Sequence, residues 1–169
     1  MRPSRHTDQL GAFSVAEHIH FSLEAGHVQL FDQRMLLMHA DSIAKLRQEL
    51  IESLGETKAR DLLTRLGYQQ GFSDGQRVRQ LSAGDSLDSL AMGPHLRELE
   101  GFVRNHPIES MQIDVERGKF KADYVWSGSW EAQAHLQHAG IRGKPVCWIM
   151  GGYADGYCTA VTGLPIHWK

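Results

Sequence analysis

The sequence predicts an α+β fold: an antiparallel sheet containing a hairpin, flanked by several helices. Three patterns carry that reading. Apolar residues follow a helical period between Ile43 and Leu81, strict alternation brackets the turn Glu116-Arg117-Gly118-Lys119, and three short apolar runs lie between His18 and Ala40. Periods near 3.6 and 2 distinguish helix from strand.

Residues 1–17 are polar and mixed and read as a flexible leader. HIHFSL, HVQLF and RMLLMHA then read as strands or extended arms, broken at Ala25-Gly26 and Asp32-Gln33. Ile43, Leu46, Leu50, Ile51 and Leu54 fall at helical spacing; Asp41 and Ser42 offer N-caps and Gly55 a stop. A second helix spans about Thr57 to Leu81, with Leu62, Leu63, Leu66 and Tyr68 as core candidates. Gly67, Gly71 and Gly75 recur within it every fourth residue. Each glycine costs a helix ~1 kcal/mol relative to alanine, so three in register predict close packing against a neighbour.

Ser86 caps a third helix through Leu87, Leu90 and Ala91; Gly93-Pro94 interrupts it, and a restart carries it to Arg104. Met111, Ile113 and Val115 alternate before the turn, and Phe120, Ala122, Tyr124 and Trp126 after it, which is the clearest hairpin in the chain. SWEAQAHLQHAG reads as a helix ending at Gly140, GKP as a loop, Cys147 to Thr162 as an aromatic helix and LPIHWK as a final strand. In the aromatic helix Gly152 and Gly156, with Tyr153 and Tyr157 beside them, give one small face and one ring-bearing face. Such a helix packs closely on one side and lines a cavity on the other.

The 169 residues make about one domain, with 41% hydrophobic and 22% charged residues, as in ordinary globular proteins. A formal charge of −2, with Lys45, Arg47, Glu49 and Glu52 interspersed, argues against a phosphate-binding face for nucleic acid. No run approaches the ~18 apolar residues that span a bilayer, so no membrane is expected. The start, MRPSRHTDQLGAFSV, lacks the apolar core of a secretory signal, and two cysteines do not make a disulfide framework. The expected setting is the reduced cytoplasm.

Catalytic constellations are weak. His18 and His20 share a strand face without an accompanying Cys, Asp or Glu cluster, and His135 and His138 read as a solvated helix face. Cys147 and Cys158, about three helical turns apart, would hold their sulfurs ~16 Å apart, too far to share an ion. GIRGKP lacks the spacing of a phosphate-binding loop, and no sharp turn exposes a nucleophile. What remains is Met92, Tyr124, Trp126, Trp130, Trp148, Tyr153, Tyr157 and Trp168, with Trp148 read as core. Tyr and Trp combine flat apolar area with a polar tip, which suits an aromatic ligand.

Several runs point the same way: Gln33-Arg34-Met35-Leu36-Leu37-Met38, Arg65-Leu66-Gly67-Tyr68-Gln69-Gln70-Gly71, Met92-Gly93-Pro94-His95-Leu96, Tyr124-Val125-Trp126 with Ser129-Trp130-Glu131, and Pro145-Val146-Cys147-Trp148 leading to Gly152-Tyr153-Ala154-Asp155-Gly156-Tyr157. In order and spacing they resemble the N-terminal sensor domain of XylR/DmpR/MopR-type bacterial activators, over roughly residues 18 to 169. The resemblance implies a non-catalytic sensor for a small aromatic effector such as a phenol or alkylbenzene. It implies a homodimer whose N-terminal strand arm, residues 18–40, is exchanged between subunits. It also implies a parent protein in which effector binding relieves repression of an ATPase acting with sigma-54 RNA polymerase, followed by a DNA-binding helix-turn-helix. On that pattern residues 18–108 form the sensor half and 109–169 a vinyl-reductase-type half, truncated at its C-terminus.

The candidate ligand-binding residues are Leu90, Met92, Arg97, Tyr124, Trp126, Tyr157 and Trp168. In phenol-sensing members a histidine and a tryptophan hold the phenol hydroxyl. The tryptophan matches Trp126, but the histidine's position reads Arg97, and His95 lies about 200° away around a helix. A buried, unpaired arginine is very costly. Arg97 therefore either turns to solvent, leaving an apolar pocket, or pairs with an acid near Glu98 or with a carboxylated ligand. The apolar character of the other candidates favours the first. The resemblance further implies a structural zinc whose first ligand matches Cys147, with a Glu and two Cys expected beyond Lys169, so the site is expected to be absent or incomplete here. Two other classes remain open: a stand-alone enzyme on an aromatic or tetrapyrrole-like substrate, and a pocketless dimerisation module.

Overall fold

The computed structural model describes residues 15–82, 86–109, 112–114, 117 and 119–168, in two units, 1–37 and 38–169. Most of the expected leader, the 83–85 connection and parts of the expected hairpin (Met111, Val115, Glu116 and Gly118) lie outside the described residues, as do the side chains of Ser86, Leu87 and Ile113.

In the first unit a 3-10 turn, Val15–His18, leads into an antiparallel meander of β1 (Ile19–Ser22), β2 (His27–Leu30) and β3 (Gln33–Met35). Ile19 pairs with Leu30 and Val28 with Met35. Gly26 and Phe31 take positive φ at the two reversals, and Phe31 is held against the His18 ring at 5.1 Å. The expected third strand stops at Met35, and Leu36 and Leu37 stand exposed.

The second unit begins with α1 (Ala40–Leu54), one residue earlier than the expected caps. No side chain caps it; His39 precedes it, its carbonyl accepting from the Ser42 amide. Gly55, at φ 80°, ends α1 and leads directly into α2 (Glu56–Leu81), which is unbroken across its three glycines. Of the expected core leucines only Leu63 is buried; Leu62 and Leu66 face outward. The reason is that the inward stripe of α2 is made of glycines. A Cβ at Gly67 or Gly71 would overlap the carbonyls of Ile149 and Tyr153, and one at Gly152 or Gly156 those of Thr64 and Tyr68. The numbers advance together, so α2 and α5 (Trp148–Thr162) run parallel with backbone on backbone.

Helix α3 (Ser86–Leu99) runs through Pro94 without the expected break and ends before Arg104. Pro94 forfeits the hydrogen bond to the Leu90 carbonyl, yet packing on α5 holds the helix. Gly93 leaves room for the Tyr157 ring, and the Tyr157 hydroxyl donates to the Ser89 carbonyl at 2.5 Å. The chain then forms β4 (Arg104–Pro107), β5 (Gln112–Asp114), β6 (Lys119–Lys121) and β7 (Tyr124–Ser127). The hairpin is real but short: β5 pairs with β6, whereas β7 leaves it to pair with β4, Asn105 opposite Trp126. Helix α4 (Trp130–Ala139) starts on a Ser129 cap and stops at the expected Gly140.

Glu131 on α4 is fully buried and accepts hydrogen bonds from the Ile149 and Met150 amides at 2.9 Å each. A carboxylate there satisfies two unpaired donors at the start of α5 and complements the helix dipole. Ala44, Leu63, Trp130, Ala134, Trp148 and Ile149 form a core cluster, which bears out Trp148 as core. Among the described residues 164–168 the expected final strand does not form. Its amides bond to helix side chains instead, Ile166 to Thr159 Oγ1 at 3.0 Å and Trp168 to Asp155 Oδ1 at 2.6 Å, which lays residues 164–168 along α5.

Candidate ligand pocket

Helical periodicity builds one wall. On α3, Leu90, Gly93, Pro94 and Arg97 share a stripe; on α5, Met150, Tyr153, Ala154, Tyr157 and Cys158 do the same. Strand β7 turns Tyr124 and Trp126 inward and Val125 and Ser127 outward. Asn105, Phe120 and Trp168 close the remainder, around a cavity of about 50 Å3. Trp168 meets Phe120 and Tyr124 edge-on, with centroids 5.7 and 6.0 Å apart.

Six of the seven candidate residues, Leu90, Arg97, Tyr124, Trp126, Tyr157 and Trp168, therefore meet at one cavity. Met92 does not: it is buried but lies off the α3 stripe, two residues from Leu90. Phe120, Asn105, Met150, Tyr153, Ala154 and Cys158 join the lining without having been singled out as ligand contacts. The spacing of 150, 153, 154, 157 and 158 carried a signal for the α5 members. Asn105 had none, because its inward position depends on β4 pairing with β7.

Arg97 corrects the expectation that it turns to solvent. Its side chain is 3% exposed and ion-paired to Glu100 and, at 3.8 Å, to Asp74. Its guanidinium lies over the Tyr153 ring at 3.8 Å and the Phe102 ring at 4.3 Å. Pairing with acids is the alternative that the cost of a lone buried charge demands. Tyr153 donates to Asp74 Oδ2 at 3.1 Å, completing a buried network across α2, α3 and α5. Burial pushes the Asp74 carboxyl up, opposed by Arg97 and by the Tyr153 hydrogen bond. Burial also lowers Arg97 and raises Tyr153 and Tyr157 well above the usual phenol value.

The two inward tyrosine hydroxyls are thus already used within the protein. Among the fully buried donors of the lining, Arg97 Nε and Nη1 have no hydrogen-bond partner among the described residues. Cys158 is a buried thiol pushed up to about 12 by burial, which makes it an apolar wall and not a nucleophile. The arrangement can enclose a flat apolar ring and orient one acceptor atom on it.

Cys147 sits at the start of α5 with Sγ 3.2 Å from Ser129 Oγ. Among the described residues no group of three His, Cys, Asp or Glu side chains is arranged to hold a metal. One thiol falls short of the four ligands of structural zinc, so the residues present do not fit that site. His135 also departs from expectation: it is buried, while His138 is exposed as read. No helix among the described residues is long and apolar enough to cross a membrane.

The profile of a family described as activator of aromatic catabolism matches residues 14–114. The chain is 33% identical over 153 residues to the transcriptional regulatory protein XylR of Pseudomonas putida, covering 90% of this chain and 27% of that protein. It is 30% identical over 154 residues to the phenol regulator MopR of Acinetobacter guillouiae, with the same two coverages of 90% and 27%. The chain therefore spans about a quarter of the length of these relatives. Its structure matches the phenol-responsive sensory domain of the transcription activator PoxR, solved with phenol, at TM-score 0.83 and 35% identity, covering 88% of this chain and 74% of that one.

Proposed function

The chain belongs to the activator-of-aromatic-catabolism family, and from that premise we propose that it senses a small aromatic effector, a phenol, an alkylbenzene or a related compound, held in the ring-lined cavity. Binding, not turnover, is its role. The observation that carries this reading is the cavity itself: an apolar enclosure walled by Tyr124, Trp126, Tyr157 and Trp168, with unpartnered donors on Arg97. The similar PoxR sensory domain, which is phenol-responsive and was solved with phenol, supports it.

Size limits the effector. An apolar cavity of about 150 Å3 accepts a benzene ring, and this one encloses about 50 Å3. One aromatic ring enters only if a wall yields. Trp168 is the side chain placed to do so, because it hangs on the irregular segment after α5 and not on a helix. An effector favouring the widened form shifts the protein toward it; equal affinity for both forms would shift nothing.

The wider reading follows the same premise. The segment of residues 18–40, which includes the meander, serves as an arm exchanged within a homodimer, for which the exposed Phe21, Leu23, Leu36 and Leu37 supply apolar surface. The division into a sensor half, 18–108, and a vinyl-reductase-type half, 109–169, is in keeping with a family match ending at residue 114. In the parent protein, domains outside this chain act on sigma-54 RNA polymerase and DNA in the cytoplasm. Zinc there would draw on Cys147 together with ligands from outside this chain.

Calorimetric titration with phenol, toluene, biphenyl and benzoate tests the proposal. At least one should bind, with loss of affinity in Trp126→Ala. Silence across the panel would sink it, and formation of a product would favour an enzyme instead.

A further inference from the structure

A second cavity, of about 150 Å3, lies where α1, α4 and the start of α5 meet, and its chemistry is the reverse of the first. Arg47, His135, His138 and Arg142 line it beside Trp148, with Glu56 its single carboxylate. The convergence is helical. Positions 135, 138 and 139 form one stripe of α4, and 47, 48 and 51 one stripe of α1.

Two of these side chains are buried without satisfaction. Arg47 is 3% exposed; it lies over the Trp148 ring at 4.1 Å and gives Nη2 to the Val146 carbonyl at 3.4 Å, while Nε has no hydrogen-bond partner. His135 is 4% exposed, and neither ring nitrogen has a partner among the described residues. Leaving a buried donor unmet costs about 1–3 kcal/mol, so both side chains gain from a bound acceptor. The charge balance selects its sign. Glu56 is engaged by Arg142 at 2.5 Å, and Glu131, which also acts on Arg47, has both oxygens on the Ile149 and Met150 amides. Arg47 therefore lacks a carboxylate partner inside the cavity.

We propose that this cavity binds a small tetrahedral oxyanion of the phosphate type, held by Arg47 and His135 inside and by Arg142 at the mouth. Guanidinium and imidazole N–H groups suit phosphate oxygens. The volume takes one such anion with a few waters, each of which occupies about 30 Å3 in the liquid. Arg142 and His138 stand exposed at the rim, so the anion is either free phosphate or the terminal phosphate of a larger molecule. The site is independent of the effector cavity.

Inorganic phosphate, titrated against the whole chain at constant ionic strength with chloride as the control, should bind and raise the thermal midpoint. Arg142→Gln and His135→Leu should each weaken it about tenfold, as loss of one charged or buried hydrogen bond does, and Glu56→Gln should tighten it. Arg142 is half-exposed, so its variant keeps the fold where Arg47→Met risks losing it. Lys45→Gln, an exposed charge on α1 outside the cavity, should leave affinity unchanged. Glycerol phosphate matching inorganic phosphate would identify a terminal phosphate; binding of inorganic phosphate alone would identify the free anion, and either supports the site. No phosphate-specific effect, an equal loss in Lys45→Gln, or only water at Arg47 and His135 in crystals grown at saturating phosphate would overturn it.

Discussion

Helix α5 presents two faces that hold their neighbours by opposite means. Toward α2 it offers Gly152 and Gly156, which meet Thr64 and Tyr68 while Gly67 and Gly71 meet Ile149 and Tyr153 in return. Contact there is backbone on backbone, and nothing in it can rotate away. Toward α3 and β7 it offers Met150, Tyr153, Tyr157 and Cys158, and side chains set the spacing. One face is a fixed seam and the other a wall around unfilled space. A sensor needs both: the seam holds α5 in place so that a ligand's entry is taken up by the side chains across from it.

The largest effect should come from the network that crosses between these faces. Arg97→Met strands Asp74 and Glu100 in the interior and should cost about 3–5 kcal/mol, as losing one partner of a buried pair does. Urea unfolding measures it, and a loss under 1 kcal/mol would show that the network is not coupled to the fold. Next comes the seam. Gly71→Ala should destabilise by about 3 kcal/mol through overpacking, against its intrinsic helix gain of ~1 kcal/mol. Its counterpart is Gly151→Ala on the same α5, where a Cβ meets nothing within 4 Å, and the intrinsic gain should appear uncancelled. If both alanines stabilise, the seam is not close-packed.

The wall should respond in binding before stability. Trp126→Ala, at a half-buried position on β7, should weaken a bound aromatic roughly tenfold through lost ring contact while shifting the melting temperature little. Trp148→Ala, in the core cluster, should do the reverse. Equal effects of the two on binding would remove the distinction between wall and core.

The smallest expected effect concerns pH at His135. Burial, with Arg47 and Arg142 nearby, lowers its pKa. A depressed histidine contributes stability above its unfolded value of about 6.5, lost as pH falls through the folded value. Stability should thus decline from neutral toward acid pH, and His135→Leu should flatten that decline in melts taken across the range.

Much of α5 and α2 was legible because helical spacing is local information. Gly67, Gly71 and Gly75 announced a close neighbour, and so did Gly152 with Gly156, though only the structure showed that each helix is the other's neighbour. Tyr124 and Trp126 were legible as inward residues by alternation alone. Met92 was misplaced because a residue's apolar character does not say which side of α3 it takes. Leu62 and Leu66 looked like core until the glycines proved to hold the inward stripe. Strand β4 was unreadable: Arg104-Asn105-His106-Pro107 has no alternation and becomes a strand by pairing with β7, about twenty residues later in the chain.

The sequence by itself determined helices α1, α2, α4 and α5, the small and aromatic faces of α5 and the family, because each rests on near-neighbour spacing or on motif order. Tertiary structure alone decided where charge goes. Arg97 is buried because Asp74, Glu100, Phe102 and Tyr153 converge on it, and His135 because α1 closes over α4. Whether a polar side chain lies in water or in the interior depends on partners that the fold gathers from distant parts of the chain, and its own position in sequence carries no record of them.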